Sequence, residues 1–335
     1  MDGRSSKPIE SGLQGCRSQS AARALFRFQN ITCQRKTSGP ARYNDTVQMR
    51  RQARSTIKIE CAPNLQQISW LVHGFSTRLG GFSKAYGGRA LNLGYTPEDS
   101  REAVDRNRAA FLRELDKPDW PLITVRQVHS DLIWQAEGER PAVGDGLLTS
   151  REGMMVSVRT ADCHPILLVD VKKRAVAVLH AGWRGTVKRI AEKGVGEMRR
   201  YFRSHPEDLR AAIGPGIHGC CYEVGEEVRE QFQSQFAYAD ALFSETKESD
   251  PIRERYPLLF LTARAPGHSE PLLPVKIRLD LVEANRRQLL AAGLRPRQVF
   301  ASPLCSSCRT DLLFSHRAEK GNSGRMMAVI GIKPG

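Results

Sequence analysis

The chain has 335 residues, of which 40% are hydrophobic and 26% charged, with a formal net charge of +15. This length allows one large domain or two small ones with a sizeable core, and the composition excludes a collagen-like or wholly disordered chain. No apolar run approaches the roughly 18 residues that a membrane-spanning helix needs, so we expect no membrane partner. The eight cysteines are too sparse for a disulfide scaffold, so a reducing, cytoplasmic location is expected.

The positive charge is concentrated at the N-terminus. Residues 1–60 hold twelve Lys and Arg against four Asp and Glu, which is more than half of the net charge. Their low hydrophobicity predicts a disordered basic extension. A transit peptide, or upstream sequence before a true start at Met49, are the alternatives. A non-enzymatic nucleic-acid-binding protein stays a hypothesis, but this uneven distribution makes a nucleic-acid partner less expected than the total charge suggests.

Beyond this segment, β-branched and aromatic runs alternate with helical patterns, which predicts an α/β fold. The predicted strands cover residues 70–75, 123–128, 154–158, 166–169, 175–179, 211–213, 299–301 and 326–332. The predicted helices cover residues 98–115, 185–202, 223–236 and 281–292. Asp280 is placed to cap the last helix, with Glu283 three positions on and Gly293 as its stop. Residues 244–274 are Pro-rich and charged, and are interpreted as a long insertion or loop.

Three predicted strands each lead to a residue that can bind a metal, namely His129, Cys163 and His180. Catalytic groups in α/β folds collect at the carboxyl ends of strands. Two imidazoles and one thiolate suit Zn²⁺ and leave a fourth position for a water molecule of lowered pKa. The long spacing matches no short zinc motif, so two alternatives stay open. The residues are either structural and unrelated, or Cys163 and His180 form a nucleophile–base pair without metal.

Several polar residues are candidates for binding an anion or a substrate. Ser76, Thr77 and Arg78 lie in a Gly-rich segment and suit phosphate, because hydroxyls and a guanidinium give charge-assisted contacts. Arg184 lies at the start of a predicted helix, where an anion is also favoured. Surface solvation is the alternative for both arginines. Asn92 either contacts substrate or forms a turn.

Two acidic residues have a structural and a functional interpretation each. Asp162 adjoins a proposed ligand and either orients an imidazole or caps a turn. Asp145 lies between two glycines, which indicates a turn first and a general acid or base only second.

Two cysteine pairs raise the question of a second metal site. Cys305 and Cys308 form a CxxC motif, which is half of a zinc site, and the sequence has no second CxxC. Cys220 and Cys221 complete four thiolates only if the fold brings the two pairs together. Four-thiolate sites normally show paired CxxC motifs, so the sequence argues against this interpretation.

Seven motifs occur in order along the chain: HGFSTRLGG (73–81), QVH (127–129), TADC (160–163), LHAGWRG (179–185), IGPG (213–216), CYEVG (221–225) and FSHR (314–317) followed by GR (324–325). Together they resemble the laccase-domain family, which is also known as the multicopper polyphenol oxidoreductase-like (YfiH-like) purine nucleoside phosphorylases. The resemblance covers residues 66–333 and leaves residues 1–60 outside.

The resemblance implies a single domain of layered mixed sheets with helices packed outside. It implies a metal site at His129, Cys163 and His180, usually zinc. The implied reactions are phosphorolysis of adenosine, inosine and methylthioadenosine to the free base and ribose 1-phosphate, and deamination of adenosine. Two further activities are associated with the family, a Cu²⁺-dependent oxidation of polyphenols and peptidoglycan-precursor editing.

The terminal motif departs from the family pattern. His316 and Ala318 stand where relatives commonly have a tyrosine and a second arginine. Any role of that second arginine is therefore absent here, and Arg317 is the remaining candidate for a substrate contact.

Overall fold

The structure is a computed structural model that describes residues 57–136, 143–247, 255–256 and 275–335. The predicted N-terminal extension lies almost wholly outside the described residues, and so does most of the predicted insertion at 244–274. The described residues belong to one compact unit.

Fifteen strands and five α-helices are described. The strands are β1 (Ile59–Glu60), β2 (Leu71–Ser76), β3 (Leu79–Ser83), β4 (Leu122–Thr124), β5 (Ile133–Gln135), β6 (Gly146–Thr149), β7 (Met155–Thr160), β8 (His164–Asp170), β9 (Ala175–Ala181), β10 (Leu209–Ile213), β11 (Glu223–Val224), β12 (Phe243–Lys247), β13 (Val275–Leu279), β14 (Val299–Ala301) and β15 (Met326–Ile332). The helices are α1 (Arg101–Glu114), α2 (Trp183–Val187), α3 (Ile190–Phe202), α4 (Glu226–Gln235) and α5 (Leu281–Ala291).

The strands form two large mixed sheets and one small sheet. The five-stranded sheet has the order β1-β2-β15-β7-β4, and the six-stranded sheet has the order β14-β10-β8-β9-β6-β5. Both combine antiparallel pairs with parallel ones, such as β4 with β7 and β10 with β14. The third sheet has the order β11-β13-β12 and is antiparallel.

The two large sheets pack face to face, and helices cover their outer faces. Val156 and Ile330 of the first sheet share one core cluster with Leu167 and Val178 of the second. Because side chains alternate along a strand, the remaining residues of β8 and β9 face outward and pack on α3 and α5. The outer face of the five-stranded sheet packs on α1. Burial on both faces explains why every residue of β8 and β9 is buried.

The predicted α/β class and layered architecture are confirmed, and each predicted strand overlaps an observed one. The predicted strand at 123–128 is too long, because β4 ends at Thr124. At α5, Asp280 accepts a hydrogen bond from the backbone N–H of Glu283, and Gly293 follows with a positive φ of 100°, as predicted. Among the described residues, no helix is both long and apolar enough to cross a membrane.

The predicted helix at 185–202 is two helices. Arg189 has a left-handed backbone with φ of 64° and separates α2 from α3. The carbonyl of Thr186 accepts hydrogen bonds from the side chain of Gln288 and the backbone of Arg189. The helical bond that Ile190 would make to this carbonyl is therefore replaced by a contact from α5. The sequence contains no local signal for such a tertiary contact.

Candidate metal centre and active site

The structure brings His129, Cys163 and His180 together. Their ligand atoms all lie within 4.8 Å of one another, and the two imidazole centroids are 5.0 Å apart. Cys163 lies in the short connection between β7 and β8, and His180 is near the end of β9. Pro165 pairs with His180 across these two strands, which places the Cys163 connection beside that imidazole.

His129 reaches the cluster from a loop and not from a strand end. It lies five residues beyond β4, has a left-handed backbone with φ of 57°, and is exposed. The expectation that all three residues end strands is therefore wrong for His129. Its loop is held in place by the carboxylate of Asp145, which accepts the backbone N–H groups of Val128, His129 and Ser130 at 3.2, 3.1 and 2.6 Å.

Asp145 also orients His180. Its Oδ1 lies 2.7 Å from Nδ1 of His180, and its carbonyl accepts the backbone N–H of the same residue. Asp145 is fully buried, so its carboxylate is isolated from water. A carboxylate that holds one ring nitrogen of a histidine leaves the other, here Nε2, as the nitrogen available to a metal. One side chain thus positions two of the three candidate ligands.

The electrostatics of the cluster favour a thiolate sulfur. Burial acts to raise the pKa of Cys163, but the neighbouring imidazoles of His180 and His129 outweigh it and lower this pKa to about 6. Burial acts to lower the pKa of His180, but Cys163 and Asp145 raise it to about 9. Burial acts to raise the pKa of Asp145, but hydrogen bonds from His180 and Ser130 lower it to about 2. The thiolate is the form of cysteine that binds metals.

The donor set fits one divalent ion. Two imidazoles and a thiolate are borderline-soft ligands that suit Zn²⁺ and also Cu²⁺. Gly182 provides the space, because a Cβ atom there would lie 2.8 Å from the sulfur of Cys163 and 3.1 Å from Cδ2 of His129. Any residue other than glycine would displace these two side chains.

A cleft of about 480 Å³ has in its wall Trp183, the residue that follows Gly182. Its wall includes Trp183, Arg184, Tyr222 and Arg317. Burial raises the pKa of the Tyr222 phenol, and the nearby charge of Cys163 adds to this effect. The cleft is large enough for a small-molecule ligand, and its wall carries two guanidinium groups together with the carboxylates of Glu223 and Glu227.

Both arginines of the cleft rest on aromatic rings. The Cζ of Arg184 lies 4.5 Å from the ring centroid of Trp183, and that of Arg317 lies 5.3 Å from the ring centroid of Tyr222. Arg317 also donates to the carbonyl of Glu223 at 2.6 Å. Both guanidinium groups are in exposed residues, and stacking holds their planes while leaving donors for an anion.

Asp162 does not orient an imidazole. Its Oδ1 accepts the hydroxyls of Ser306 and Ser315 at 2.6 and 2.7 Å, and its Oδ2 accepts the backbone N–H of Arg317 at 2.7 Å. The interpretation of Asp162 as the carboxylate behind a ligand therefore does not fit, and Asp145 has that position. Asp162 instead fixes the loop that carries Arg317.

Ser76, Arg78 and Asn92 lie away from the cleft wall and have structural partners. The Arg78 guanidinium donates to the carbonyls of Thr310 and Tyr86 at 2.7 and 3.0 Å and forms an ion pair with Glu319 at 3.0 Å. Ser76 accepts the backbone N–H of Met327. Asn92 accepts the backbone N–H of Arg325 and donates to Asp99. The geometry favours a structural role for these three residues.

The sequence indicated mainly a turn at Asp145, and it gave no role to Trp183 or Tyr222. The glycines that flank Asp145 predict a turn, and this prediction gave no indication that Asp145 lies next to two candidate ligands. Trp183 and Tyr222 lie inside motifs quoted above, directly after Gly182 and Cys221. The available signal was their place in the sequence, since Trp183 lies three residues after His180 and Tyr222 directly follows Cys221.

The fold and this site lead to a family assignment. Residues 72–333 match the family model described as multi-copper polyphenol oxidoreductase laccase. The chain belongs to this family.

Individual relatives narrow the comparison. A purine nucleoside phosphorylase of Deinococcus radiodurans is 35% identical over 274 residues, which cover 81% of this chain and 91% of that protein. The adenosine deaminase RL5 of an unknown prokaryotic organism is 36% identical over 274 residues, covering 77% and 93%. The crystal structure of the hypothetical protein YfiH of Bacillus licheniformis aligns with a TM-score of 0.69 at 30% identity, covering 83% of this chain and 97% of that one.

Proposed function

We propose that this protein is a zinc-dependent purine nucleoside phosphorylase that also deaminates adenosine. The observation that carries the proposal is the position of the His129, Cys163 and His180 cluster beside a cleft with two arginines in its wall. The relatives named purine nucleoside phosphorylase and adenosine deaminase support the choice of substrate. The substrates are then purine nucleosides, namely adenosine, inosine and methylthioadenosine, together with phosphate.

Arg184 and Arg317 are proposed to hold phosphate. In phosphorolysis, a phosphate oxygen bonds to the anomeric carbon of the ribose while the bond from that carbon to the purine nitrogen breaks. The purine leaves with the electron pair and takes up a proton. The two stacked guanidinium groups bind the dianion and hold it at the ribose, which reduces the entropic barrier to the reaction.

His129, Cys163 and His180 are proposed to hold the zinc ion. An ion with three protein ligands acts as a Lewis acid and lowers the pKa of a water molecule in its open position. Asp145 lies 2.7 Å from Nδ1 of His180, which leaves Nε2 as the ring nitrogen that would give up its proton and bind the ion. In deamination, water adds to C6 of adenine and ammonia leaves. Tyr222 lines the same cleft and keeps its phenolic proton, so it serves as a hydrogen-bond donor to the purine.

Product analysis tests this proposal. Untagged protein of measured zinc content is incubated with adenosine, with and without phosphate, and the products are separated by chromatography. We expect adenine and ribose 1-phosphate when phosphate is present, and inosine when it is absent. Adenosine that stays intact under both conditions, with zinc bound, would contradict the proposal.

Copper-dependent oxidation of phenols is a second candidate, since two histidines and one cysteine also form copper sites. Metal analysis followed by oxygen uptake with a phenol separates the two functions. Copper binds such ligands more tightly than zinc does, so bound copper alone is not sufficient. Oxygen uptake that rises with copper content, without nucleoside cleavage, would favour the oxidase.

A further inference from the structure

The two cysteine pairs form a second cluster, which is distinct from the cluster of His129, Cys163 and His180. Cys220 and Cys221 lie in the loop between β10 and β11, and Cys305 and Cys308 lie in the loop after β14. Their sulfur atoms all lie within 4.8 Å of one another. The fold therefore brings the two cysteine pairs together, although their spacing in the sequence argued against a four-thiolate site.

The sulfur–sulfur distances match a shared metal better than a disulfide. Cys308 Sγ lies 3.5 Å from the sulfur of Cys220 and 3.3 Å from that of Cys221, and the sulfurs of Cys220 and Cys221 are 3.7 Å apart. A disulfide has a sulfur–sulfur bond of about 2.05 Å. Four sulfurs at about 2.3 Å from a tetrahedral zinc ion are about 3.8 Å from one another.

Backbone groups around Cys305 are arranged to stabilise negative charge on its sulfur. The N–H of His218 donates to Sγ of Cys305 at 3.4 Å, and the N–H groups of Ser307 and Cys308 also donate to it. Gly216 and Cys305 are bridged as in a parallel sheet, and the N–H of Ser306 donates to the carbonyl of Gly216 at 2.8 Å. These bonds hold the two loops, and with them the two cysteine pairs, against each other.

Burial differs among the four thiols in a way that suits metal entry. Cys305 is buried, Cys221 is half-buried, and Cys220 and Cys308 are exposed. An ion can therefore approach from solvent and meet a ligand that is already fixed by the backbone.

We propose that Cys220, Cys221, Cys305 and Cys308 bind one Zn²⁺ as a closed structural site. Four protein ligands leave no open position, which distinguishes structural zinc sites from catalytic ones with three ligands. Four adjacent thiolates repel one another, and the positive charge of the ion offsets this repulsion.

The site supports the wall of the cleft. Tyr222 follows Cys221 directly, and Ser306 lies between Cys305 and Cys308 and donates to the carboxylate of Asp162. The same carboxylate holds the backbone of Arg317. Zinc at the four cysteines thus stabilises the two loops that present Tyr222 and Arg317, without taking part in the reaction.

Zinc analysis of four versions of the full chain tests the proposal. We expect two equivalents of zinc in the wild-type protein, one in Cys163→Ala, one in Cys308→Ser, and none in the double variant. The matched control is Cys61→Ser, because the thiol of Cys61 lies outside both clusters and donates to the carbonyl of His73. This control should retain two equivalents.

A structural zinc ion contributes its binding free energy to folding, so we also expect Cys308→Ser to lower the Tm by about 5 °C or more. If this variant does not fold, X-ray absorption at the zinc edge of Cys163→Ala protein gives the answer without it. We expect a shell of sulfur only, at about 2.3 Å.

Two results would overturn the proposal. One is wild-type protein with a single equivalent of zinc that Cys163→Ala removes completely. The other is a zinc shell that contains nitrogen or oxygen in the Cys163→Ala protein. Because the two sites are counted separately, a failure of the catalytic zinc assignment would leave the Cys308→Ser result interpretable.

Discussion

Two polar regions of this molecule look alike in sequence and differ in the structure. The segment from Ser76 to Asn92 and the wall of the cleft both combine arginine with glycine and a hydroxyl group. In the first region, the Arg78 guanidinium donates hydrogen bonds to backbone carbonyls and forms an ion pair with Glu319, and its side chain is 15% exposed. Arg184 and Arg317 of the second region stack on aromatic rings and stay exposed.

Residue type alone therefore does not separate structural from functional polar groups. A buried donor must be satisfied inside the protein, and once satisfied it has no capacity left for a ligand. An exposed guanidinium held by stacking keeps that capacity.

The largest expected effect is at the cluster beside the cleft. We expect Cys163→Ala to lower kcat/KM for adenosine phosphorolysis and deamination by about a thousand-fold or more, because a Lewis acid contributes several kcal/mol. Steady-state kinetics measure this, with Cys61→Ala as the control that retains activity. A Cys163→Ala protein with both rates unchanged would contradict the assignment of this cluster as the catalytic site.

The next effect distinguishes the role of Asp145 from that of Asp162, the other buried carboxylate near the cluster. We expect Asp145→Asn to weaken zinc binding by about 10- to 100-fold, because Asp145 holds His180 and the loop of His129. Competition with a chromophoric chelator measures the affinity. Asp162→Asn is the matched control, since its partners are Ser306, Ser315 and Arg317. Equal losses of zinc affinity in both variants would contradict the distinction.

Arginine substitutions compare the two regions directly. We expect Arg184→Gln and Arg317→Gln each to raise the KM for phosphate by about tenfold or more, because a hydrogen bond to a charged group contributes about 1.5–3 kcal/mol. We expect Arg78→Gln to lower the Tm and leave this KM unchanged. If Arg78→Gln alone raised the phosphate KM, the anion site would lie in the Ser76 to Asn92 segment.

The last effect is on stability and not on activity, and it concerns His73, on the strand that leads into the first region. Burial lowers its pKa to about 4, and its Nε2 accepts a hydrogen bond from the backbone N–H of Ala62. The unfolded chain therefore takes up a proton between about pH 6.5 and 4 that the folded chain does not. The stability from this residue is complete above about pH 6.5 and is lost as the pH falls toward 4.

Thermal unfolding across this pH range checks the prediction for His73. We expect the free energy of unfolding of the wild type to fall by up to about 3 kcal/mol more than that of His73→Gln. Parallel curves for the two proteins would mean that His73 does not titrate as its burial requires.

The fold was largely predictable, because its signals are local. Strands such as Met326–Ile332 show as apolar runs, and Asp280 and Gly293 mark the two ends of α5. The break at Arg189 was not predictable, because it depends on Gln288 from another helix.

The candidate site was predictable only in part. The motifs identify His129, Cys163 and His180, and the structure places them together, while their role in metal binding stays a prediction. Two other features depend on contacts between distant segments. The first is that Asp145, and not Asp162, forms the hydrogen bond with His180. The second is that Cys220 lies close to Cys308. Neither has a signature in spacing.

The pairing of β8 with β9 has a consequence for how the enzyme would exchange its ion. Cys163 directly precedes β8 and His180 lies near the end of β9, so both residues lie at the same end of a pair of strands whose residues are all buried. His129, by contrast, is exposed and lies in a loop. An ion held by all three residues would therefore leave on the side of His129, and the rate of isotope exchange between bound and free metal would report on the motion of that loop.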